Sequence, residues 1–143
     1  MASFKLGTEA GDHLIVEIDG RPDECDDWLC ATIGVRAGAF TATIDALLMT
    51  CDFPRFRCQL ESLYKTLSGS ANFDTIERQL QLNCVGNDRG GIAVNGTVQD
   101  RAGDGNELRF RFDIDQTYLP QIISDVQNIE SQFPNRINPA FPQ

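Results

Sequence analysis

Apolar and polar residues alternate one for one along most of this chain, and no other feature restricts its fold as much. Leu14, Val16 and Ile18 share a side of Leu14–Asp19. Leu29, Ala31, Ile33 and Val35 do so in Trp28–Arg36, and Phe40, Ala42, Ile44, Ala46 and Leu48 in Phe40–Met49. The same spacing places Leu80, Leu82 and Cys84 together in Ile76–Val85, and Ile92, Val94 and Val98 in Ile92–Asp100. It also aligns Leu108, Phe110, Phe112 and Ile114 in Glu107–Ile114, with Arg109, Arg111 and Asp113 facing away. Successive strand side chains point to opposite faces, so these are half-buried strands of antiparallel sheet.

Turn chemistry divides the strands into two meanders. Ala37-Gly38 has hairpin length, and the runs Gly86–Gly91 and Gly103-Asp104-Gly105 are tight-turn signals. Leu14–Met49 and Ile76–Ile114 therefore each read as three strands.

Two segments change to helical spacing. Phe53, Phe56, Leu60, Leu63, Tyr64 and Leu67 line one stripe, with Asp52 as N-cap, Pro54 in the first turn and Gly69 closing the end. Tyr118, Leu119, Ile122, Ile123, Val126 and Ile129 line another, capped by Thr117, with Pro120 in its first turn and Pro134 as its stop. Each helix follows a meander, and each stripe needs an apolar sheet face to cover. The expectation is an α+β fold. It has a twisted antiparallel sheet of six to eight strands in two meanders, as one sheet or two halves, with two packed helices.

The chain's 143 residues are enough for one domain with a core that needs no metal or disulfide. Residues 1–133 are assigned to it, and 134–143, with three prolines, to a loosely ordered tail. The first residues show no signal peptide, and no apolar run is long enough for a membrane span. The cysteines, Cys25, Cys30, Cys51, Cys58 and Cys84, are odd in number and lack metal-ligand spacing. A reducing cytoplasm suits them, with Cys30, Cys58 and Cys84 as small hydrophobes.

Charge supplies the one suggestive surface. Twelve basic residues against twenty-one acidic ones leave a net charge of −9, opposite in sign to what tracks a nucleic-acid backbone. Residues 1–27 carry eight of the acids and only two bases. The density peaks in the loop Asp19–Asp27, where Asp19, Asp23, Glu24, Asp26 and Asp27 are followed at once by Trp28. Such a loop is either a solvated surface or a steering patch for a basic partner, with Trp28 as an anchor or a core residue. It lacks the residue order of a calcium loop.

The remaining constellations read as structural. Asp113 and Asp115 lie two apart, but Asp115 precedes a helix, where negative charge is favoured. His13, the single histidine, has no nucleophile motif beside it. The glycines at 86–91 open a strand rather than a helix, so they cradle no phosphate. Arg109, Arg111 and Arg78 form a small basic stripe if their strands are neighbours, neutralised by Glu77, Glu107 and Asp113. No catalytic residue, metal ligand or cofactor site emerges.

Several of these pieces form a recognisable combination. They are Asp27-Trp28-Leu29 opening a strand after a variable loop, and the run of Phe56, Leu60, Leu63, Tyr64, Leu67, Gly69, Ala71 and Phe73 from helix into strand. Gly91 opens the next strand. Leu108, Phe110 and Phe112 then lead into Asp115-Gln116-Thr117-Tyr118-Leu119-Pro120. This pattern resembles the WapI family of small bacterial proteins and spans about residues 4–133. The resemblance implies a cytoplasmic immunity protein that neutralises a toxin domain by stoichiometric contact. The family's named member acts on a contact-dependent toxin that cleaves tRNA, and the family supplies no catalytic residues. The expected partner is a basic toxin domain, with no direct nucleic-acid or membrane contact, and the chain itself a monomer or homodimer. The alternative is a structural or homo-oligomeric module joined through an exposed sheet edge.

Overall fold

The computed structural model describes residues 2–136. Eight strands run β1 (Ser3–Gly7), β2 (His13–Gly20), β3 (Trp28–Ala37), β4 (Phe40–Met49), β5 (Ser70–Asp74), β6 (Leu80–Gly86), β7 (Gly91–Gln99) and β8 (Glu107–Asp115). Helix α1 (Asp52–Thr66) follows β4, and α2 (Leu119–Gln132) follows β8 after a short 3-10 turn at Gln116–Tyr118. The strands form two separate four-stranded antiparallel sheets, β1-β2-β3-β4 and β5-β6-β7-β8. The chain therefore makes four strands and a helix, twice. The α+β class and the two helices agree with the sequence reading, and the two meanders are two sheets.

Both strands beyond the six read from sequence are first strands of a meander. β1 and β5 have only five residues each, with Phe4 and Leu6, or Ala71 and Phe73, as their apolar positions. Two repeats of an alternation are too few to stand out. The segment read as starting at Ile76 is a turn up to Gln79, and Ile76 is 66% exposed.

Each helix packs against the first strand of the other half, α1 on β5 and α2 on β1, and the two helices pack on each other. The side chains explain this exchange. Phe53 and Phe56 of α1 meet Phe4 of β1 and Phe73 of β5, with ring centroids 5.3–6.4 Å apart. All four rings are fully buried. Leu119, Ile122, Val126 and Ile129 form the buried stripe of α2. Across the helix pair Arg57 grips Glu130 through two bonds, Nε to Oε2 at 2.6 Å and Nη2 to Oε1 at 3.1 Å, a fork geometry that favours fixed orientation.

Gln79 ties the two sheets together at another corner. Its buried amide donates to the carbonyls of Asp45 at 2.9 Å and Gln99 at 3.3 Å, and accepts from Leu47 N at 3.4 Å. The outer edge of β4 is thereby partly satisfied from the second sheet.

The helix ends differ from the sequence reading. Residue Cys51 holds the N-cap of α1 without a side-chain bond, and Asp52 is the first helical residue. Its carboxylate turns back to accept Met49 N at 3.0 Å. Leu67, not Gly69, adopts the left-handed conformation (φ 59°) that closes α1. Its carbonyl accepts Asp88 N at 2.9 Å and lies where a side chain on Gly86 would stand, so the β6–β7 hairpin fixes the helix end. At the second helix Asp115 caps the 3-10 turn and Thr117 is the donor to it.

Candidate partner-binding surface

The acidic loop begins at a defect in the ladder. Ile18 pairs with Ala31 and Gly20 with Cys30, so Asp19 is the extra residue of a β-bulge in β2. A bulge re-aims the side chain it carries. Asp19 is exposed, and its Oδ2 accepts the Thr32 hydroxyl at 2.8 Å on the outer face of the first sheet.

Beyond the bulge the loop wraps around one buried cation. The Arg21 side chain is 3% exposed and lies 3.6 Å from the Asp27 carboxylate, itself 7% exposed. The same guanidinium donates to Asp26 O at 2.8 Å and to Pro134 O. Asp27 Oδ1 accepts Arg136 N at 2.6 Å, and Asp27 O accepts Thr50 N at 3.0 Å. Thr50 in turn donates its hydroxyl to Asn135. Residues 134–136 are thus fastened to the acidic loop and to the turn before α1. Of the segment assigned to a tail, residues 137–143 lie outside the described residues.

The five acids of the loop consequently do different work. Asp27 neutralises Arg21 and holds the segment after α2. Asp26 is half-buried and accepts Trp28 N at 3.0 Å, and Asp23 accepts Cys25 N at 2.9 Å, each setting a local turn. Glu24 is exposed and stands 3.5 Å from Arg136. Asp19, Asp23 and Glu24 remain the solvent-facing carboxylates of the set. Trp28 begins β3 opposite Met49 and is half-buried, with its indole on the face opposite the buried Leu29.

The other sequence constellations fall into place as structure. His13 Nδ1 lies 3.1 Å from Thr8 O and 3.0 Å from Gly11 O, bracing the β1–β2 turn. The hydroxyl and amide of Thr117 hold the Asp115 carboxyl below its ordinary range, as a capping group requires. Asn87 Oδ1 accepts the amides of Arg89 and Gly91 within the β6–β7 hairpin. Arg109 and Arg111 share the outer face of β8, whereas Arg78 lies in the β5–β6 turn, so the three do not form one stripe. Cys84 is buried, and the low polarity around it pushes its thiol up to about 12. Cys30 is half-buried and Cys58 is exposed, so Cys58 is not the packed hydrophobe read from sequence. No group of three His, Cys, Asp or Glu side chains among the described residues is placed to hold a metal. No helix among them is long and apolar enough to cross a membrane.

Comparison with known families decides the kind of protein. The model of the immunity protein WapI-like family matches residues 5–134. The chain belongs to this family. The match runs from β1 through the end of α2, so it covers both four-strand-and-helix units together with the acidic loop. No curated protein is similar enough to match the chain. Family membership points to an immunity role for this WapI-like protein, and to a toxin as its partner.

Proposed function

We propose that this WapI-like chain is a non-catalytic immunity protein that neutralises a basic toxin domain, such as a nuclease, by stoichiometric contact in the cytoplasm. The observation that carries the reading is the family match over the whole fold. The contact surface is assigned to the loop of Asp19, Asp23, Glu24, Asp26 and Asp27 with Trp28 beside it. What supports this assignment is the exposed carboxylates of Asp19, Asp23 and Glu24 on a loop held rigid by Arg21 and Asp27. A fixed acidic patch attracts a cationic surface at long range and loses little entropy on binding. Asp26 and Asp27 shape the loop, and Trp28 supplies apolar contact area next to it.

The test is co-expression with the C-terminal domain of a large secreted toxin encoded beside this chain. Growth is restored by the wild-type chain and not by an unrelated acidic protein. With the purified pair, Asp19→Asn, Asp23→Asn and Glu24→Gln together slow association and flatten its dependence on salt. No rescue with both proteins soluble refutes that pairing. Rescue with unchanged association kinetics in the triple variant refutes the acidic loop as the contact.

A further inference from the structure

The outer face of the second sheet holds a groove of about 630 Å³ that lies apart from the acidic loop. Its walls are two cross-strand rows set by the register. One row is Asp74, Gln81, Thr97 and Arg109, and the other is Asn72, Asn83, Asn95 and Arg111. Both rows therefore begin at β5 and end in a guanidinium on β8. Arg109 and Arg111 are two residues apart on one strand, so their stems stand about 7 Å from each other on the same face.

Most of the polar groups here are not used by the fold. Asn83 donates to Asn72 Oδ1 at 2.6 Å, which still leaves the Asn72 amide hydrogens and the Asn83 carbonyl oxygen free to pair outward. Among the described residues, the side chains of Gln81, Asn95, Thr97 and Arg111 enter no hydrogen bond or ion pair within the chain. Arg109 has only Glu107 at 4.0 Å, with both side chains mostly in solvent. A concave site with several unused donors and acceptors converging on it is the usual form of a ligand site.

Charge and shape state what would fill it. Among the residues that line the groove, the charged ones are Arg109 and Arg111 at the β8 side and Asp74 at the β5 side. Three strand spacings separate these ends, about 14 Å. That distance matches about four residues of extended polypeptide. Amides in between suit a peptide backbone, whose N–H and C=O groups need partners when covered. Paired guanidiniums at one end suit carboxylates, which accept their fork geometry. The positive end is bordered by the β3–β4 hairpin. There Phe40 is 65% exposed, the hairpin facing Leu108, Arg109 and Arg111 across a second hollow. The alternation in the sequence places Phe40 with the core, but it stands at the hairpin tip beyond the edge of the packed sheets. An exposed aromatic beside a polar groove is a typical contact anchor. The hairpin and the acidic loop lie at opposite ends of the ten-residue strand β3, about 33 Å apart along it.

We infer that the outer face of β5–β8 is a second binding site, for an extended partner segment. The segment carries carboxylates at the Arg109–Arg111 end and a cationic side chain at Asp74. The inference does not depend on the acidic loop, and it is tested without a toxin. The full chain, labelled with nitrogen-15, is titrated by NMR with the amidated, N-acetylated peptide Glu-Glu-Ser-Ser-Lys. The control peptide is Gln-Gln-Ser-Ser-Lys. The expected result is amide shifts at Asn83, Asn95, Thr97, Arg109 and Arg111, saturating in the millimolar range. The Gln peptide, and the Arg109→Gln/Arg111→Gln variant with the Glu peptide, each bind at least tenfold more weakly. Both arginines are exposed, so an unchanged spectrum of the free variant verifies its fold. Asp74→Asn removes the preference for the terminal Lys over Gln. The absence of shifts, shifts centred on residues 19–27, or binding indifferent to the arginine substitutions would each overturn the site.

Discussion

Removing Asp27 separates the structural acids of the loop from the exposed ones. In Asp27→Ala the Arg21 guanidinium, with 3% of its side chain exposed, loses its counter-charge. Among the described residues it retains the carbonyls of Asp26 and Pro134. Breaking a buried ion pair from one side costs about 3–5 kcal/mol, because the remaining charge stays desolvated. The amide of Arg136 also loses its acceptor, which adds about 1 kcal/mol. Unfolding entropy of about 2.1 cal/mol/K per residue makes 1 kcal/mol equal to about 3 °C for 143 residues. The expected fall in Tm is therefore about 12–18 °C by calorimetry. Asp19→Asn, Asp23→Asn and Glu24→Gln should each stay within about 0.5 kcal/mol of wild type in urea unfolding. The double variant Arg21→Met/Asp27→Leu removes both charges and should recover most of the loss. An Asp27→Ala protein within about 1 kcal/mol of wild type refutes the reasoning. A double variant no better than the single one would transfer the cost to the Arg136 contact instead.

Three further outcomes follow from the packing. Burial raises the Asp52 carboxyl to about 6, so the folded chain binds more protons than the unfolded one between the ordinary value and 6. Stability from this group is therefore greatest below about pH 4 and falls as pH rises to about 6, by about 3 kcal/mol. In urea titrations Asp52→Asn should flatten that slope and gain stability above pH 6, and an unchanged pH profile contradicts the burial argument. Gly96→Ala would set a methyl 2.4 Å from Phe110 Cζ, so the ring must move out of the core at a cost of about 1–3 kcal/mol. Phe110→Leu in the same chain should reduce that cost, as read by a double-mutant cycle. With a thiol reagent on the native protein, the exposed Cys25 and Cys58 should react fast. Cys84 should react only after denaturation, and early labelling of Cys84 would contradict its placement.

Local rules decided the elements that repeat a period often enough to be read. The long strands β3, β4, β7 and β8 and the stripes of both helices are written in the spacing of Ile33 and Val35, Val94 and Val98, or Phe56, Leu60 and Leu63, because the period belongs to the backbone. The density of acid between Asp19 and Asp27 is likewise a property of the chain alone, and so is the resemblance that the family match bears out. Tertiary structure decided what those residues do. β1 and β5 exist because Phe4 and Phe73 complete a four-ring cluster with α1, a contact between residues far apart in sequence. Asp27 is set apart from Glu24 by a buried Arg21 and by a bond from Arg136, 109 residues away. The groove on β5–β8 depends on which positions stand opposite one another. A strand sequence fixes which face a residue takes, but only register fixes its neighbours. The two faces of one strand are legible in one sequence, and the rows that cross four strands are not.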